Sequence, residues 1–121
     1  MPRIAPALLA ALCLLPLAGC VQPGPGLAGP DAAAPPTPVD GRSKGLFEQM
    51  TGINGDAVAA VSGDARRSYI YYDLFAARKE AVAAAPARLC AFHGKAVTAS
   101  HVTNPGDHVP GMKVLVVTCA P

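Results

Sequence analysis

Tryptophan is absent, and the only aromatic residues are Phe47, Tyr69, Tyr71, Tyr72, Phe75 and Phe92. A chain so short of large side chains builds a thin core, and a small domain with a thin core usually needs a staple. Charge is also scarce. Ten basic residues stand against eight acidic ones with no basic cluster, which argues against nucleic acid as a partner. No apolar run reaches the roughly 20 residues of a membrane-spanning helix. Catalytic signatures are missing as well. Ser62, Ser68 and Ser100 lie outside any Gly-x-Ser-x-Gly turn, and no His–acid pair is placed by sequence. Glu48, Asp56, Asp64, Asp73 and Glu80 are scattered, and each has a turn, a cap or a solvated helix face to explain it. No glycine loop opens a strand–helix unit in the way phosphate binding requires. A non-enzymatic protein without a cofactor is the expectation.

What is present begins at the N-terminus. Arg3 supplies one positive charge, Leu8 to Leu17 is mostly Leu and Ala, and small residues follow at Ala18 and Gly19. A basic start, a short apolar stretch and small residues before a cleavage point describe a secretory signal, expected over residues 1–19. Leu17-Ala18-Gly19-Cys20 resembles the lipobox of bacterial lipoproteins. The resemblance implies cleavage before Cys20, a diacylglyceryl thioether on its sulfur and acylation of the new amino terminus. Val21 follows, where an Asp would favour inner-membrane retention. In a host with two membranes the resemblance therefore implies an outer-membrane anchor facing the periplasm. Each buried methylene adds roughly 0.8 kcal/mol of membrane affinity, so several acyl chains hold firmly.

This placement sorts the four cysteines. Cys13 leaves with the signal and Cys20 takes lipid, so Cys90 and Cys119 remain in a compartment that permits disulfides. A disulfide between them is the expectation. The rival is a metal site using Cys90 and His93.

From Val21 to about Gly45 the chain is rich in Pro, Gly and Ala. It offers little to bury and few backbone donors, which predicts a disordered tether over 20–45. The domain is then expected over 46–121. Leu46, Phe47 and Met50 fall at helical spacing before Gly52. Over residues 54–62 the alanines favour a second short helix capped by Asn54, with a strand and hairpin as the alternative. Gly52, Val58 and Gly63 also resemble the spacing of small outer-membrane lipoproteins of the SmpA/OmlA type, linked to barrel assembly. Ala65 departs from that pattern, in which Pro is expected, and the helical stretch after Tyr72 departs from it too. The resemblance therefore assigns no functional residue.

Residues 67–72 carry the aromatic and β-branched content of a strand, with Tyr69 and Tyr71 on one face. Asp73 is placed to cap one main helix over roughly 74–90, with Phe75 and Leu89 near its buried side and Pro86 kinking or dividing it near Ala85. Residues 95–103 and 112–119 read as strands joined by a Pro/Gly loop. The last is apolar on both faces, which predicts a central position. The fold class is α+β: an antiparallel sheet of about three strands packed by one main helix, with short helices before it.

Three surfaces carry functional expectations. Tyr69 and Tyr71 would form an aromatic patch for an envelope protein or peptidoglycan if one sheet face is open; otherwise they fill the core. His93, His101 and His108 fall in the C-terminal third, but their spacing matches no compact metal-ligand pattern. The leading expectation is a structural or interaction lipoprotein. The others are a periplasmic metal- or small-ligand-binding lipoprotein using His93 and His101, and a small lysis- or stress-type lipoprotein.

Overall fold

Ser43 starts the first helix. Its hydroxyl accepts a hydrogen bond from the Leu46 N–H at 3.1 Å, satisfying one of the amide donors that a helix start leaves free. The computed structural model describes residues 32–121. It comprises α1 (Lys44–Thr51), a 3-10 turn (Gly55–Ala57), β1 (Val58–Gly63), β2 (Arg67–Asp73), α2 (Lys79–Phe92), β3 (Val97–Thr103) and β4 (Met112–Cys119). The class is α+β, and the sheet has four antiparallel strands in the order β1-β2-β4-β3. Among the described residues no helix is long and apolar enough to cross a membrane.

β4 lies between β2 and β3, as its two-sided apolar pattern requires. Val114, Leu115, Val116 and Val117 are all buried, and alternate side chains serve opposite faces. On one face both helices cover Leu115 and Val117 together with Ile53, Ile70, Tyr72 and Leu89. On the other, Val114 and Val116 join Ala60, Tyr71 and Ala34 in a smaller cluster.

Of the two readings of 54–62 the strand and hairpin hold, and the favoured helix does not: one 3-10 turn is followed by β1. A bulge between Val58 and Ala60 explains the misleading pattern. It places Val58 opposite Tyr72 and Val61 opposite Ile70, so two residues three apart share the helix-covered face. That spacing is helical in sequence, but an extra strand residue produces it here. The hairpin closes through Asp64, whose carboxylate accepts from the Arg66 and Arg67 N–H groups at 2.8 and 2.9 Å. Those two hydrogen bonds, with that of Arg67 the stronger influence, hold its carboxyl below the usual aspartate range. Gly63 has φ +96°, and a Cβ there would collide with the Arg67 carbonyl oxygen.

The main helix also starts later than expected. Asp73 caps a turn, its carboxylate accepting from the Phe75 and Ala76 N–H groups at 2.8 and 3.2 Å. The chain then reaches Lys79, where Asn54 ties down the approach by accepting from the Arg78 N–H and donating to the Ala76 carbonyl. Pro86 does not divide α2, which runs through it to Phe92. Pro86 is buried beside Ala85, Leu89 and Cys90, and that packing holds the helix across the donor it lacks.

The tether expectation fails in its last part. Residues 20–31 lie outside the described residues, but 32–42 form a strap against the second sheet face. Its attachments are mostly backbone carbonyls. Ala32 O accepts from the Thr103 hydroxyl at 2.6 Å, and Pro35 O accepts from the Tyr71 hydroxyl at 2.9 Å. The Ala34 N–H donates to Asn104 O at 2.8 Å. The far end is clasped onto the edge of β1. The Asp40 carboxylate accepts from the Val61 N–H at 3.1 Å and pairs with Arg42 at 2.6 Å, while Arg42 donates to Val61 O. The domain therefore begins well before residue 46.

The Asp40 side chain is only 9% exposed, and its hydrogen-bonded pairing with Arg42 pushes its carboxyl well below the ordinary aspartate value. A depressed folded value stabilises above the unfolded value of about 3.9, and the contribution is lost as pH falls toward the folded value. Asp40→Ala is expected to cost about 1–3 kcal/mol at pH 7. Urea midpoints should show the difference between variant and parent shrinking below about pH 4. A gap that stays constant to strong acid would mean that the carboxylate does not hold the strap.

Candidate functional site

Leu17-Ala18-Gly19-Cys20, the stretch that resembles a lipobox, lies outside the described residues. Cys90 and Cys119 are bonded to each other, with Cα atoms 5.6 Å apart and a sequence separation of 29. Both are buried, and the bond joins the end of α2 to the end of β4. Cys90 is thereby unavailable to the rival metal site with His93.

The histidines are dispersed. His93 ends α2 on the helix-covered side and meets the Phe92 ring edge-on, with centroids 5.6 Å apart. His101 lies on β3 opposite Val116, whose side chain belongs to the other face. The sheet therefore separates the two residues expected to share a ligand. His108 is exposed in the β3–β4 loop with φ 53°. Among the described residues no three His, Cys, Asp or Glu side chains converge in a way that would hold a metal ion.

Tyr71 is not available as a partner surface. It is fully buried between the sheet and the strap, and that burial pushes its phenol above the ordinary tyrosine value. Tyr69 is half-buried on the same face. With His101, Arg67, Thr103, Val116 and strap residues 32–35 it lines a cavity of about 110 Å³. Tyr69 and His101 were singled out in the sequence for separate reasons, and cross-strand register on β4 brings them together.

A second concavity, of about 350 Å³, lies between the β2–α2 turn and the β3–β4 loop. Its rim carries Leu74, Phe75 and Val109, which are 45%, 85% and 42% exposed. The expectation that Phe75 packs on a buried helix side fails because α2 begins four residues after it. Asp73 was the sequence signal for this, since an aspartate that accepts from the amides two and three residues on makes a turn as readily as a helix cap. Lys113 lines the same concavity and donates to Asn104 at 2.8 Å, and among the described residues no carboxylate lines it.

Comparison with protein-family models, with curated proteins and with solved structures found no match.

Proposed function

We propose that this chain is a lipid-anchored protein of the cell envelope, held by Cys20 to the outer membrane and facing the periplasm, whose domain acts by contact and not by catalysis. Leu17-Ala18-Gly19-Cys20 supports the anchor, and the Cys90–Cys119 bond fits an exported protein, since disulfides persist in oxidising compartments. The observation that carries the contact reading is Phe75, the most exposed aromatic residue of the described chain. Leu74, Phe75 and Val109 replace Tyr71 as the partner surface. Their apolar rim, with Lys113 beside it and no carboxylate, suits another envelope protein that presents apolar and acidic groups.

Cys20→Ser is expected to abolish incorporation of radiolabelled palmitate and to leave the signal uncleaved. Labelling that persists in the variant would sink the anchor. For the contact surface, a photo-crosslinking amino acid in place of Phe75 should capture one dominant envelope protein in cells. Phe75→Ser should reduce co-purification of that partner without shifting the melting temperature, because the ring is 85% exposed.

A further inference from the structure

The cavity beside the strap brings together side chains suited to an anion. Tyr69, Val116 and His101 are cross-strand neighbours in one row, so they stand on the same face of the sheet. Arg67 lies two residues before Tyr69 on that face, with its guanidinium carbon 5.9 Å from the Tyr69 ring centroid. Among the described residues no carboxylate lines the cavity and none forms an ion pair with Arg67. The Thr103 hydroxyl is already spent on Ala32 O. The available donors are therefore the Arg67 fork, the Tyr69 phenol and the His101 ring.

We propose that this cavity binds a compact carboxylate carrying an alanine-sized side chain, such as the end of a peptide that finishes in a small residue. Arg67 supplies the planar fork that matches two carboxylate oxygens, and Tyr69 and His101 add donors at the sides. The floor and far wall are apolar. Val116 is buried beneath the cavity, and the small apolar residues Ala32, Ala33, Ala34 and Pro35 line its strap side. An alkyl group on the anion suits such a wall, whereas a phosphate would set polar oxygens against it. The small volume excludes larger side chains. The site is composite, since the strap that builds one wall is itself held by Tyr71 and Thr103.

The test is calorimetric titration and backbone-amide NMR mapping of the full-length chain purified in detergent, with N-acetylalanine as probe. Saturable binding is expected, with shifts centred on Arg67, Tyr69 and His101. The neutral N-acetylalanine amide should bind at least about tenfold more weakly, as should N-acetylalanine to Arg67→Ala, because each loses a charge-assisted hydrogen-bond pair. Arg67 is exposed, so its loss leaves the fold intact. Tyr71→Phe, which loosens the strap without touching the cavity, should also weaken the probe. Equal binding of acid and amide, unchanged binding to Arg67→Ala, tighter binding of inorganic phosphate, or no saturable binding would each overturn the site. The site belongs to the folded domain, so Cys20→Ser should bind the probe as the parent does. Failure here would therefore leave the anchor reading standing.

Discussion

Cys119→Ala is expected to lower the unfolding free energy by about 3–4 kcal/mol, measured as a shift of the urea midpoint at constant slope. The bond spans 29 residues of sequence that contain β3, the β3–β4 loop and β4. Opening it returns that whole loop's freedom to the unfolded chain. Both cysteines also belong to the helix-side core that includes Leu89 and Val117, so the substitution leaves poorly filled space as well. Native domains hold about 5–15 kcal/mol in all, so a thin-cored one loses a large share. Reductant should destabilise the parent by a similar amount and leave the Cys90→Ala, Cys119→Ala double variant unmoved. If parent and double variant share one midpoint within about 0.5 kcal/mol, the bond is incidental to stability.

Tyr71→Ala should cost about as much, roughly 3–5 kcal/mol, the range for removing a buried aromatic ring. Tyr71 is the largest fully buried side chain of the domain. Its ring fills the space between Ala60, Val114 and the strap, and its hydroxyl donates to Pro35 O. Tyr71→Phe separates the two contributions. It keeps the ring and loses the hydrogen bond, with an expected cost of about 1 kcal/mol. Protease cleavage near Val39, which is fully exposed on the strap, should accelerate in both variants. A Tyr71→Ala protein within about 1 kcal/mol of the parent would mean that the second sheet face is not a core.

Legibility from sequence followed the range of the interactions. Gly52 ends α1 through its own backbone freedom, and that was readable. The central place of β4 was readable because its side chains are apolar on both faces. β1 stood second to a helix because its bulge imitates helical spacing, and only pairing with β2 distinguishes the two. The strap was invisible for another reason. Prolines need few donors satisfied, and the hydroxyls that meet the strap carbonyls come from Tyr71 and Thr103, 36 and 71 residues away in sequence. Side-chain bulk, the usual sign of order, is nearly absent from it. The small cavity was half legible. Tyr69 and His101 stood out singly, but their meeting depends on the registers of β2 and β3 against β4, which no local pattern carries. Phe75 was lost to a helix boundary, since the turn at Asp73 and a cap at Asp73 look alike in sequence.

The route by which the strap joins the domain has a mechanical consequence. The disulfide lies wholly within residues 90–119, so the strap is outside the covalent loop. In a chain held at Cys20, a pull on the domain would load the strap from Ala32 onward and break its attachments one at a time: first Thr103, then Asn104, then Tyr71, and last the clasp at Val61. Such peeling meets low resistance at each step, whereas the cross-linked sheet behind it would have to yield all at once. Residues 32–42 would then add roughly 36–40 Å of extended reach while β2, β4 and β3 stay paired. In a chain so held the strap would be a spare length of leash folded onto the domain, paid out under tension and taken back when the load is removed.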